Sequence, residues 1–242
     1  MRHKFLLAAA MALSAIALAA LPSIASAFET EPALNPLGGA EFPLPYTSVV
    51  SEGAQIYSSS SLLYFCESAS GEGTVLGPHT GSGKTTLHGC RESIFNTACT
   101  SAGQESGTIV SETLTAHSVY LKPANEEKPH ERPGILFTPN EETGKFTEFK
   151  CVGGLVIATV KGNGLLGTVV EPGFNEATNI TRVQVAASEE GQQHTETVEG
   201  EIEYSMEVSF NGGEFEKAFL NSSTETATLD EEVEAETLEE TP

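Results

Sequence analysis

From Ala54 onward, apolar residues recur in short alternating runs, each cut off by Gly, Pro, Asn or Ser. That punctuation constrains the fold more than any other feature of the chain. AQIYSSS, SLLYFCES, GEGTVLG, KTTLHGC, SGTIVSETL, HSVYLKP, GILFTP, KFTEFKC, LVIATVKG, LGTVVEP, ITRVQVAA, EIEYSMEVSF and EFEKAFLNS all read as strands. Apolar spacing of i, i+3, i+4, i+7 is missing after residue 27. In SFNGGEFEKAFL, Asn211-Gly212-Gly213 separates two alternating runs with residues that tolerate positive φ, which predicts a hairpin; Gly162-Asn163-Gly164 predicts a second one. The expectation is an all-β protein, a mainly antiparallel β-sandwich or irregular β-barrel stabilised by disulfides.

The first 27 residues stand outside that pattern. Arg2, His3 and Lys4 precede an apolar run ending in Ala25-Ser26-Ala27, a small-x-small site, so residues 1–27 read as an export signal cleaved before Phe28. An uncleaved anchor is the alternative, but Pro22 and the cleavage site leave a short span. No cysteine follows the site, which disfavours a lipoprotein. The later run GGLVIATVKG is broken by glycine and lysine, so no membrane span is expected after cleavage. Residues 28–53, rich in proline, read as an extended lead-in, 54–228 as the β domain, and 229–242 as an acidic tail. The polar stretch at 187–200 is a mobile hairpin tip or a boundary between two β units.

Without Arg2 and Lys4, ten basic residues face thirty-four acidic ones, a net charge of −24. Binding to nucleic acid depends on neutralising phosphates, so nucleic acid is excluded as a partner; the same repulsion disfavours an anionic membrane surface. The bland reading of the acidity is a solvated surface. Asp230 is the only aspartate, which excludes calcium loops of the D-x-[DN]-x-[DN]-G type. A catalytic triad would have to use glutamate.

Four cysteines, Cys66, Cys90, Cys99 and Cys151, form an even set in a chain marked for export and so read as two disulfides. Three pairings are open. The favoured one closes a short loop with Cys90–Cys99 and ties early to late strands with Cys66–Cys151. A metal site with His79 or His88 lacks the close ligand spacing of zinc sites, and neither a metal nor a cofactor is expected.

GPHTGSGKTTLHGC, residues 77–90, invites a phosphate-loop reading. The motif G-x-x-x-x-G-K-[ST] needs a glycine at position 78, where Pro78 stands, and it needs a helix after the lysine, where two threonines and a glycine favour a strand. Gly81-Ser82-Gly83 therefore reads as the turn of a hairpin. No G-x-S-x-G elbow occurs. His117 reads as a structural histidine, His88 as facing the same side as Cys90, and His79, His130 and His194 as surface residues. With thirty-three glutamates, paired carboxylates are available for hydrolysis without any pair being singled out.

GPHTGSGKTTLHGC, ACTSAGQESGTI, KFTEFKCVGGL and SMEVSFNGGEFEKAFL, taken together in order and spacing, resemble a large group of secreted β-rich actinobacterial proteins without an assigned function. A GPKTG-type turn, a C-T-S-A-G-Q stretch, an F-E-C-G-G stretch and an S-F-N-G-G hairpin recur in that group. The resemblance spans residues 60–225 and implies no activity, cofactor or site residue. The expected function is a non-enzymatic binding or structural module, secreted or at the cell surface, with a cell-wall glycan or another extracellular protein as the partner. The alternative is a secreted hydrolase using paired glutamates.

Overall fold

The computed structural model describes residues 32–50, 54–58, 63–123, 132–171, 177–185, 196–198, 205–222 and 224–236. Their elements in chain order are β1 (Ala33–Pro36), β2 (Leu44–Val50), β3 (Ala54–Ser58), β4 (Leu63–Cys66), β5 (Ser68–Gly77) and β6 (Thr80–His88). There follow β7 (Arg91–Glu92), β8 (Ile109–Val110), β9 (Leu114–Pro123), β10 (Arg132–Thr138), β11 (Lys145–Cys151) and β12 (Val156–Gly162). The last are β13 (Leu165–Glu171), β14 (Ala177–Gln184), β15 (Glu196–Val198), β16 (Met206–Phe210), β17 (Phe215–Ser222) and β18 (Glu225–Glu236). Among the described residues there is no α-helix, and the only helical element is a 3-10 turn at Val152–Gly154. The all-β expectation holds, and of its two forms the barrel is the one adopted.

Eight strands, β2, β5, β6, β9, β10, β13, β14 and β18, pair antiparallel in that order, and β18 returns to β2. Because spatial order equals chain order, this is a closed up-and-down barrel, which leaves no unpaired edge within the ring. In such a meander every second connection lies at the same end. The four connections at one end, β2 to β5, β6 to β9, β10 to β13 and β14 to β18, supply every strand of a second sheet, ordered β11-β12-β16-β17-β3-β4-β7. The barrel thus carries a seven-stranded sheet built from its own insertions. β8 extends along β6, and β15 pairs with the end of β9 that β6 leaves free.

Alternation along β2 shows the inward face: Leu44, Ser48 and Val50 are buried and Tyr46 half-buried, while Pro45, Thr47 and Val49 are exposed. The largest core cluster joins both layers, with Ile109, Leu165 and Val185 packed against Tyr64, Phe146, Phe149, Val160, Met206 and Val208 of the second sheet. Tyr64 meets Phe149 edge to face at 5.3 Å. The other end of the barrel is closed by Leu44, Leu229 and Val233 with Leu34, Ala40 and Phe42 against them.

That closure revises two expected boundaries. The proline-rich lead-in contains β1 and β2, and β2 is a barrel strand. The acidic tail from Leu229 is strand as far as Glu236: Leu229 and Val233 point into the core while Asp230, Glu231 and Glu232 face solvent. A charge run hides a strand when only its occasional apolar residues are needed inside. The cleavage site and most of the 187–200 stretch lie outside the described residues.

The two turn expectations divide. Asn211 and Gly212, with φ of 52° and 73°, join β16 to β17, and Gly213 N–H donates to the Phe210 carbonyl at 2.9 Å, so this hairpin forms as expected. Gly162-Asn163-Gly164 is instead a crossover from β12 in the second sheet to β13 in the barrel, two strands that do not pair.

The cysteines pair otherwise than expected: Cys66–Cys90 and Cys99–Cys151, with Cα separations of 4.0 and 4.2 Å, and neither Cys90–Cys99 nor Cys66–Cys151 forms. Strand pairing decides this. β4 lies beside β7 in the register Phe65↔Arg91, which brings Cys66 to Cys90, and the Thr100↔Lys150 bridge brings Cys99 to Cys151. Cys90 and Cys99 are backbone neighbours, with the Cys99 N–H donating to the Cys90 carbonyl at 2.9 Å, yet each sulfur bonds elsewhere. All four are buried.

Candidate functional site

GSGKTT lies inside β6. Gly77↔Thr80 is the last pair of the β5–β6 hairpin, so its turn is Pro78-His79, three residues earlier than the expected turn at Gly81-Ser82-Gly83. Pro78 presets the turn dihedral, and the glycines serve another purpose. A Cβ on Gly83 would lie 2.3 Å from the Tyr46 hydroxyl oxygen, and one on Gly73 would lie 2.6 Å from the Tyr46 ring. These glycines make room for an inward tyrosine between two strands. Lys84 is exposed, and β6 leads into no helix that could meet a phosphate.

Tyr46 forms part of the wall of a cavity of about 120 Å³ between the barrel interior and the second sheet. The wall is mainly hydrocarbon: Leu87, Ile109, Leu114, Phe137, Phe146, Val160, Leu165, Val185 and Met206 contribute to it. An eight-stranded barrel has an interior that side chains fill or that holds one small ligand. Here the small residues Ala69 and Ala116 leave space.

Polar groups enter the cavity at one place. The Ser48 hydroxyl donates to the Glu225 carboxylate at 2.5 Å. Burial pushes the Glu225 carboxyl above its usual range, and the Ser48 bond offsets only part of that. Burial, reinforced by the charge of Glu225, pushes the Tyr46 phenol up to about 12. Of the other hydroxyls of the wall, Ser111 donates to the Glu112 carbonyl at 2.8 Å, and Thr147 to that of Val110 at 2.8 Å. Strand register positions the pair, since Ser48↔Ala227 and Val50↔Glu225 put Ser48 and Glu225 on the same face of adjacent strands.

A second carboxylate has a structural task. Glu92, buried, accepts the N–H groups of Ile94 (2.7 Å), Phe95 (3.0 Å) and Thr97 (3.0 Å) and the Thr97 hydroxyl (3.0 Å). Burial alone raises its carboxyl, but the bonds from Phe95, Thr97 and Ile94 outweigh it and hold the group below its ordinary value. The loop so fixed leaves Ile94 and Phe95 exposed.

The histidines do not gather. His88 is exposed with its Nε2 3.0 Å from the Ser70 hydroxyl, away from buried Cys90, because Gly89 at φ 64° breaks the strand alternation between them. His79 Nδ1 lies 3.2 Å from the Pro32 carbonyl, and His117 is half-buried in β9. His130 and His194 fall outside the described residues. No three His, Cys, Asp or Glu gather as a metal site among the described residues.

Sequence reasoning missed Tyr46, Ser48 and Glu225. Tyr46 and Ser48 fall in the stretch expected to be an extended lead-in, and Glu225 is one glutamate of thirty-three. The signal that could have found them is Gly73 and Gly83, since glycines inside strands mark the close approach of a bulky partner. The fold and the site define a class: a disulfide-bonded, closed eight-stranded β-barrel with an internal cavity. Comparison with protein families, curated proteins and solved structures finds no match. The two disulfides fit an oxidising environment, and no helix among the described residues is long and apolar enough to cross a membrane.

Proposed function

We propose that the chain is an exported, non-enzymatic binding module that works at the cell surface or in the extracellular space, with the barrel cavity as its ligand site. The observation that carries this reading is the apolar cavity with one convergent set of polar groups, the usual make-up of a small-molecule site. The reading as a hydrolase has less support. Hydrolysis of a glycoside needs two carboxyl groups flanking the bond, and among the described residues Glu225 is the single carboxylate on the cavity wall. Export rests on the N-terminal signal and the disulfides. The likeness to secreted actinobacterial proteins fits both.

Thermal unfolding of the oxidised protein with small aromatic compounds tests the reading, because a ligand of the native state raises the midpoint by mass action. The expected result is a shift that Ala116→Leu, which fills the cavity, abolishes while the variant still unfolds cooperatively. A shift unchanged in that variant places binding elsewhere and refutes the reading. For export, N-terminal sequencing of secreted material is expected to begin at Phe28.

A further inference from the structure

The polar end of the cavity has a composition that selects among small ligands. It presents three oxygen-bearing groups, the Glu225 carboxylate, the Ser48 hydroxyl and the Tyr46 phenol, on the adjacent strands β18 and β2. Glycines of the neighbouring strands seat them. A Cβ on Gly71 would lie 2.3 Å from Ser48 Oγ and 3.5 Å from Glu225 Oε1, as one on Gly83 would meet the Tyr46 hydroxyl. Among the described residues the carboxylate's side-chain partner is Ser48, a neutral donor. Among the described residues Lys84 is the one basic residue on the wall, and its side chain is exposed on the outer face of β6, between the inward Gly83 and Thr85. A carboxylate in an apolar cavity without a cation is costly unless a ligand supplies the charge.

Resting on the binding-module reading above, we propose that the cavity is a site for a small primary amine. Its ammonium sits among Glu225, Ser48 and Tyr46, and its hydrocarbon body lies against Leu87, Leu114, Phe137, Phe146, Val160 and Leu165. Three N–H donors meet three oxygen groups, and the bond to the carboxylate is charge-assisted. The size follows from the volume. An apolar cavity of about 150 Å³ holds benzene, so about 120 Å³ suits an amine no larger than benzene, such as isobutylamine. A net charge of −22 draws cations toward the protein and repels anions.

Titration calorimetry of the oxidised protein at neutral pH with isobutylamine, isobutanol and isopentane tests this, since the three share a body and differ in the head group. Isobutylamine is expected to bind at least about tenfold more tightly than the other two. Glu225→Gln, which keeps the shape, is expected to bring it down to their level, and Ser48→Ala to weaken it severalfold. Equal binding of all three by the unaltered protein overturns the amine assignment and leaves the cavity reading standing. Binding of none of them overturns both. Isobutylamine binding that survives Glu225→Gln unchanged refutes the role of the carboxylate.

Discussion

Removing the cysteines one at a time gives a pattern of losses set by which loop each one closes. Cys66–Cys90 spans 24 residues and Cys99–Cys151 spans 52, and the two loops follow one another without overlapping. Loop-closure entropy assigns about 3.4 kcal/mol to the first bridge and about 4.1 kcal/mol to the second. Both together reach about 7.5 kcal/mol, comparable to the whole stability of an ordinary domain, so the fully reduced chain is expected not to hold its fold at 37 °C. Urea unfolding of Cys66→Ala, Cys90→Ala, Cys99→Ala and Cys151→Ala under non-reducing conditions reads the individual losses. Cys66→Ala and Cys90→Ala should lose similar stability, and Cys99→Ala and Cys151→Ala a similar, somewhat larger amount. The grouping is more telling than the size, because cavity effects at these buried sites change the size. If Cys90→Ala matched Cys99→Ala, and Cys66→Ala matched Cys151→Ala, the strand register that sets the pairing would be refuted. Retention of the unfolding midpoint after complete reduction would refute the entropic argument.

Other outcomes follow from single side chains. Gly83→Val forces Tyr46 from its place and is expected to cost about 1 to 3 kcal/mol, and a double-mutant cycle with Tyr46→Ala should recover part of it; strict additivity in urea denaturation would show that the two do not meet. Because burial raises the folded-state value of Glu225, its favourable effect on stability is present below the unfolded carboxyl value and is lost as pH rises through the folded one. Glu225→Gln should therefore stabilise the protein at pH 8 and leave it little changed at pH 4, and the opposite order in chemical denaturation would refute the burial of that group. Glu92 has the reverse sign: its stabilisation is present above the unfolded value and is lost as pH falls through the lowered one. Glu92→Ala should cost about 2 kcal/mol at neutral pH and raise amide exchange at Ile94, Phe95 and Thr97; unchanged exchange there would refute its role in holding the loop.

Local residue order was sufficient for most strands after Ala54, but not for β1, β2 or the strand within the acidic tail, nor for two of the three expected turns. The alternating runs from Ala54 are strands because side chains of β structure face opposite sides in turn, and Asn211-Gly212 is a hairpin turn because those residues accept positive φ at little cost. The even cysteine count correctly implied two disulfides, yet their partners depended on β4 lying beside β7 and on residue 100 lying beside residue 150. These are contacts between segments far apart in the chain, invisible to spacing. The same separation explains the site. Tyr46 and Ser48 meet Glu225 only because β18 closes the ring onto β2, and Gly83 of GSGKTT is required by a tyrosine more than thirty residues upstream. Hydrophobic period and turn chemistry act within a few residues, so the sequence by itself determined most of the strands, the Asn211-Gly212 turn and the net negative charge. Ring closure, disulfide partners and the cavity come from long-range register, which only the tertiary structure decided.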